Sequence, residues 1–194
     1  MPPQSTPAYA PGVHIRAMTP DDCAIVAEIR VRGWQHAYAG LIPQAHLDAM
    51  DIAREAEHRR AHLATGSAAM NLVSMAPDTT VTGWACYGPS RDEDAPPGTA
   101  ELYALYAHPD HIGTGTGRAL LTEVTTRARA DGFTGLSLWV LKDNTHARRF
   151  YERAGFRPDG TEETSETGGA MVPEVRYVCV IPSRNDMTSA PPTR

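Results

Sequence analysis

The sequence predicts a one-domain α/β fold, and three observations carry that expectation. The second half of the chain reads as strand, glycine-rich loop, helix and strand, a β-α-β unit with locally parallel strands. Short apolar runs bounded by Gly, Pro, Asn and Asp recur on the other side of it. A length of 194 residues, 41% hydrophobic and 21% charged, suits a single unit with a core of its own.

Taken in order, Val13 to Arg16 reads as a short strand. Thr19-Pro20-Asp21-Asp22 then starts a helix, since Thr19 can cap, Pro20 suits the first turn, and two acids face the positive helix end. Ile25, Val26 and Ile29 form that helix's apolar stripe, which runs toward Trp34. After Gly40-Leu41-Ile42-Pro43 a second helical region extends to about Leu63. Ala68 to Met75 and Val81 to Tyr87 read as strands paired around a Pro-Asp turn. The loop Gly88 to Gly98 is polar and holds Asp92, Glu93 and Asp94. Ala100 to Ala107 is a strand, and the glycine-rich Gly113 to Gly117 follows. A helix then places Leu120, Leu121, Val124 and Ala128 on one face and stops at Asp131-Gly132. Leu136 to Leu141 is a strand, Thr145 to Ala154 a short helix closed by Gly155, and Glu174 to Ile181 a final strand.

The remaining features mostly exclude. Residues 1–12 carry four prolines and little apolar content, residues 182–194 are rich in Pro, Ser and Thr, and both read as flexible tails around a domain of residues 13–181. No apolar run approaches the roughly 20 residues of a membrane helix, so no membrane role is expected. The start, MPPQSTPAYAPG, lacks the basic and apolar regions of a secretory signal. Cys23, Cys86 and Cys179 are odd in number and lack metal-ligand spacing, which suggests reduced thiols in a cytoplasmic protein. A formal net charge of -5 argues against nucleic-acid binding, which rests on phosphate neutralisation. His58 and His62 have i, i+4 spacing without a third evident ligand, and His108 and His111 sit where they can shape a turn. No metal is expected.

The chemistry concentrates in Leu105-Tyr106-Ala107-His108-Pro109-Asp110-His111-Ile112-Gly113-Thr114-Gly115-Thr116-Gly117-Arg118. Three alternating glycines that open directly into a helix leave a row of backbone amides without intrahelical partners. Those amides can close around a phosphate or diphosphate at the positive helix end. The loop lacks the spacing of a dinucleotide-binding loop and the Lys-Ser/Thr pair of a nucleotide P-loop.

LYAHPDHIGTGTGRALL resembles motif A of the GCN5-related N-acetyltransferases (GNAT), and LWVLKDNTHARRFYERAGFRPDG resembles their motif B. WQHAYAGLIPQAHL is similar to the first-helix region of many bacterial members. The two motifs are spaced as in that family, and the resemblance spans about residues 13 to 181. It implies a single-domain GNAT fold, with a mixed, mostly antiparallel central sheet and a parallel β-α-β unit that binds acyl-CoA. It further implies that Leu105, Tyr106 and Ala107 hold the pantetheine arm through their backbone. Ile112, Gly113, Thr114, Gly115, Thr116, Gly117 and Arg118 would bind the CoA diphosphate, with Asn144, Ala147 and Phe150 beside the cofactor. One departure is Ile112, where the motif usually carries Gln or Arg; Thr114 also fills a position that is often basic. An amide cradle survives this, but a charge-assisted contact is lost unless Arg118, Arg148 or Arg149 supplies one.

By the same resemblance Tyr151 is the general acid that protonates the CoA sulfur, since a phenol with a reference pKa of about 10 stays protonated at neutral pH. The alternative is that it simply packs beside Phe150. Glu101 is the candidate base, because strand alternation places Glu101, Tyr103 and Leu105 on one face; otherwise it is a strand-end acid. Trp34, Tyr38 and Trp84 are candidate walls of an acceptor pocket, or plain core. The expected activity is acetyl transfer from acetyl-CoA to a primary amine of a small molecule. A protein or peptide N-acetyltransferase and a catalytically weak acyl-CoA-binding module are the alternatives, and a homodimer is left open. The segment before Leu63 and the β-loop near residues 160 to 173 carry no readable acceptor code.

Overall fold

The computed structural model describes residues 13–182; apart from Pro182, the expected tails lie outside them. Seven strands form one sheet in the order β1-β2-β3-β4-β5-β7-β6. β1 (His14–Ala17), β2 (Met70–Met75), β3 (Val81–Pro89) and β4 (Thr99–Ala107) are antiparallel neighbours. β5 (Gly135–Leu141) runs parallel to β4, and β7 (Ala170–Val180) and β6 (Arg157–Thr167) close the far side antiparallel. The helix α4 (Thr116–Ala130) is the crossover between β4 and β5. α/β chemistry is thus grafted on a mostly antiparallel sheet, as the resemblance implied.

Each face of the sheet buries its own cluster. On one, Leu120, Leu121, Val124 and Ala128 of α4 pack with Leu72, Ala85, Leu102, Leu136 and Leu138. The short helix α5 (Thr145–Arg153) adds Tyr151 to that cluster. On the other face, Val26 and Ile29 of α1 (Cys23–Ala37) pack on Val73, Trp84 and Cys86. A smaller cluster of Ile42, Leu47, Leu141 and Val172 joins α2 (Gln44–Asp48) to the β7 side of the sheet. Fully buried aliphatic side chains of this kind contribute roughly 1.5–3 kcal/mol each, so both faces are anchored. Cys23, Cys86 and Cys179 are all free thiols.

Several boundaries differ from the sequence expectation for local reasons. Pro20–Asp22 forms a 3-10 turn before α1, because the Asp22 carboxylate turns back to accept from the Thr19 amide at 2.7 Å and from Arg16 at 2.6 and 2.8 Å. The second helical region is broken into α2 and α3 (Ile52–Ala64). Asp51 restarts it by accepting from the Arg54 amide at 2.7 Å, a side-chain N-cap that a continuous helix could not accommodate. The expected loop at 160–173 is instead most of a hairpin. Its first strand is polar and solvent-facing over most of its length, so it lacks the apolar alternation that marks strands. At its tip Gly168, at φ 60°, lies so close to α2 that a Cβ there would sit 2.5 Å from the Cβ of His46.

Two irregularities in β4 create the site. Cys86 pairs with Ala104 but Tyr87 with Leu102, so Tyr103 is an extra, bulged residue. A bulge shifts the side-chain alternation by one. Glu101 and Leu105 therefore face opposite sides, which corrects the expectation that Glu101, Tyr103 and Leu105 share a face: Glu101 lines a cavity while Leu105 packs toward Gly117 of α4. In addition, β4 pairs with β5 only from Thr99 to Glu101. Beyond that point the two parallel strands diverge and leave the β4 edge open.

Candidate active site

The glycine loop meets the geometry that an anion cradle needs. Gly113 and Gly115 stand at φ 82° and 92°, a region that residues with a Cβ avoid. Gly115 is the N-cap of α4. The backbone hydrogen bonds that close the loop are made by the amides of His111, Ile112, Thr114 and Ala119. The amides of Gly113, Gly115, Thr116, Gly117 and Arg118 have no acceptor among the described residues, and the helix dipole adds its positive end. Thr114 is turned inward, donating to the His111 carbonyl at 2.7 Å and lying 3.1 Å from the Thr116 hydroxyl. Ile112 is 43% exposed at the cradle's entrance. Of the basic residues that could replace a missing charge there, Arg148 is engaged elsewhere, donating to the Tyr177 hydroxyl and the Lys142 carbonyl.

From this loop the open edge of β4, with Leu105, Tyr106 and Ala107, leads inward. Asn144 caps α5 by accepting from the Ala147 amide at 3.0 Å. Phe150 lies 3.6 Å from where a Gly117 Cβ would stand, so α5 and the start of α4 are in contact. Tyr151 is 9% exposed between Phe150 and Phe156, with ring centroids 5.1 and 5.8 Å away. Burial, and secondarily the nearby Tyr106, push its phenol pKa well above the usual value. It therefore holds its proton throughout the neutral range and can donate it. Its hydroxyl makes no hydrogen bond among the described residues. Such an arrangement fits an acyl-CoA: free amides for the diphosphate, a strand edge for the amide-bearing arm, and an acid at the inner end.

Next to the inner end lies a cavity of about 230 Å³. It is lined by Trp34, Tyr38 and Ile42, by Arg91, Glu101, Tyr103 and Tyr106, and by Trp139, Leu141, Glu163, Thr167 and Glu174. Trp34 and Tyr38 meet edge to face at 5.1 Å. The Tyr38 and Tyr106 hydroxyls are 3.1 Å apart, an approach made possible because Gly33 of α1 carries no side chain against the Tyr106 ring, 3.0 Å from its Cβ position. Burial first, then Tyr106, drive the Tyr38 phenol pKa well up.

The structure brings together most of the residues singled out from sequence. Tyr151, Asn144, Ala147 and Phe150 gather on α5 beside the loop, while Trp34, Tyr38 and Glu101 meet in the cavity. Trp84 does not join them. It stacks on Tyr106 at 6.2 Å, carries the Arg59 guanidinium 4.0 Å over its ring, and donates to Asn71 at 3.0 Å. Glu101 is 2% exposed, and Arg91 engages both its oxygens through the side chain and one also through the backbone amide at 3.0 Å. To take a proton it would have to release that pair. Sequence reasoning missed Arg91, Trp139, Glu163 and Glu174. The signal for Glu174 was present, since alternation along Val172-Pro173-Glu174-Val175-Arg176 sets it on the same face as the buried Val172 and Arg176.

The sheet is thus splayed between parallel strands, with a row of free backbone amides at one end and a buried phenol and a cavity at the other. The acetyltransferase (GNAT) family matches residues 30–156, and the chain belongs to that family. It is 30% identical over 145 residues to the L-amino acid N-acyltransferase MnaT of Escherichia coli, covering 73% of this chain and 78% of that one. It is 28% identical over 166 residues to the uncharacterized N-acetyltransferase YuaI of Bacillus subtilis, covering 84% and 90%. Among solved structures, yncA of Salmonella typhimurium, a putative acetyltransferase with its cofactor acetyl-CoA, superposes with a TM-score of 0.64 at 24% identity, covering 94% and 99%. The chain is thus an N-acetyltransferase of the acetyl-CoA-dependent type. No helix among the described residues is long and apolar enough to cross a membrane.

Proposed function

We propose that the protein acetylates a primary amine of a small molecule held in the cavity, with Tyr151 as general acid. The observation that carries this reading is the adjacency of a compact, aromatic and acidic cavity to a buried, unpaired phenol at the inner end of the open β4 edge. When bound, acetyl-CoA supplies the thioester, whose carbonyl carbon the amine nitrogen attacks as the C–S bond breaks. The residues do the rest. The loop amides and the β4 edge hold the donor, the cavity orients the amine, and Tyr151 gives its proton to the departing sulfur.

Proton removal from the acceptor ammonium falls to the carboxylates of the cavity wall. Glu101 is the candidate from the sequence, and its ion pair with Arg91 must open for it to serve. The pair has a second consequence: it holds the 88–98 loop against the cavity. Glu101→Gln therefore raises the acceptor KM as well as altering the pH profile. A half-enclosed cavity of this volume favours a small acceptor over a peptide, because ligand pockets for larger molecules are usually about 300–1,000 Å³.

The test is an acceptor screen with free amines and short peptides, following thiol release. Amines are expected to turn over and peptides to do so poorly; efficient turnover of peptides alone would overturn the small-molecule reading. Tyr151→Phe is expected to lower kcat about 100-fold with acetyl-CoA affinity retained. Wild-type turnover in that variant would remove Tyr151 as the acid.

A further inference from the structure

Almost every acid near the cavity already faces a cation. Glu101 has Arg91. Asp92, Asp94 and Asp159 share Arg176, Glu55 binds Arg30 and Arg59, and Glu162 binds Lys142 at 2.6 Å. Glu163 and Glu174 are different. They are directly opposed across the β6–β7 ladder, so their side chains project from the same face at cross-strand spacing. Both line the cavity, and neither has a basic partner among the described residues.

Two like charges at this spacing repel each other, and Glu174 is half-buried. A carboxylate in that position costs free energy unless a cation reaches it. Burial accordingly raises the Glu174 pKa, a hydrogen bond with Ser165 opposes that rise, and Glu163 adds to it. The rest of the lining suits a cation rather than an anion. Aromatic rings there already attract cations, since Trp34, Tyr103 and Trp139 lie under the guanidinium groups of Arg30, Arg91 and Arg176, and the Tyr38 ring is left to face an ammonium group. Among the described residues the one cavity-lining guanidinium, Arg91, is already paired with Glu101.

We propose that Glu163 and Glu174 form a second ammonium subsite, and that the acceptor is a compact diamine. One amine is delivered to the thioester beside Tyr151 while the other stays charged between the two carboxylates. This deepens the acetyl-transfer reading and rests on it for the identity of the reacting end. The subsite itself rests only on the cavity and its charges.

The probe is a matched pair of the same chain length, 1,4-diaminobutane and 1-aminobutane. Each is compared for kcat/KM with acetyl-CoA and for binding by calorimetry in the presence of CoA. Wild-type protein is expected to favour the diamine by at least about tenfold in both, as one charge-assisted contact supplies. Glu163→Gln/Glu174→Gln brings that ratio close to one. Glu163→Gln alone, on an exposed strand, reduces the ratio in part and guards against a folding defect in the double variant, which a thermal melt also reports. Equal treatment of the two amines by the wild type, or a preference that survives in the double variant, overturns the subsite while leaving acetyl transfer standing. Binding of the diamine that depends on both carboxylates, without acetylation of either amine, sustains the subsite and sinks the acetyl-transfer reading instead.

Discussion

The two halves of the site are built from different materials. The donor half, from Leu105 through the glycine loop to α5, is mostly backbone: free amides, an open strand edge and glycines at positive φ. The acceptor half is mostly side chains, brought from α1, the 88–98 loop, β5 and the β6–β7 hairpin. Backbone sites need residues close together in sequence, because a run of amides must turn around one anion. Side-chain cavities need only proximity in space. On the proposed reading, a donor half made of amides would tolerate Ile112 where a charged side chain is usual, while an acceptor half made of side chains would be redirected by changing one carboxylate.

The largest effect expected from testing this division is at Arg176. Its guanidinium joins Asp92 and Asp94 of the 88–98 loop to Asp159 of β6 at 2.6 to 3.2 Å, and its ring neighbour Trp139 donates to Asp92 at 3.1 Å. Arg176→Ala leaves three acids facing one another and should cost about 3 kcal/mol of stability, read as a fall in Tm. If the halves are separable, the acceptor KM rises in that variant while affinity for acetyl-CoA is kept. A matching loss of cofactor affinity would break the distinction. On the donor side, Gly115→Val forces a β-branched residue to φ 92° at a cost of roughly 1–2 kcal/mol, for an expected tenfold loss of acetyl-CoA affinity. Wild-type affinity would mean that the loop holds no anion.

The smallest effect sharpens the comparison from outside both halves. The Asp22 carboxyl is held down to about 2, first by its hydrogen bonds with Arg16, against the opposing cost of burial. A carboxyl whose pKa is lowered on folding stabilises the protein above its unfolded value, near pH 4, and loses that contribution as pH falls toward 2. With Arg16 about one-third exposed, water screens the pair, so Asp22→Asn should cost only about 1 kcal/mol. The loss should appear at pH 7 and vanish near pH 2, with both substrate affinities unmoved. A pH-independent cost would show that the pair acts through packing alone.

How much was legible in the sequence follows the same line. The glycine loop was readable because its turn is closed within a few residues, whereas Thr19 to Asp22 became a 3-10 turn in which the Asp22 carboxylate, not the Thr19 hydroxyl, is the acceptor. The hairpin at 157–180 was half missed, since its first strand shows mostly polar side chains to solvent and is held by pairing with β7. The bulge at Tyr103 left no mark in composition, yet it turned Leu105 away from Glu101. Trp34 and Tyr38 were found through helical spacing, whereas Trp84 has the same aromatic character and sits in the core beneath Arg59. Arg91 and Glu163 belong to segments without pattern, and only the folded chain brings them to one cavity.

The most direct test of the central claim is a calorimetric titration of the full chain with acetyl-CoA, run beside Gly115→Val. The account predicts micromolar binding to the wild type and clear weakening in the variant, because the cradle is made of backbone amides at the start of α4. Absence of binding to the wild type, or equal binding to both proteins, would contradict it.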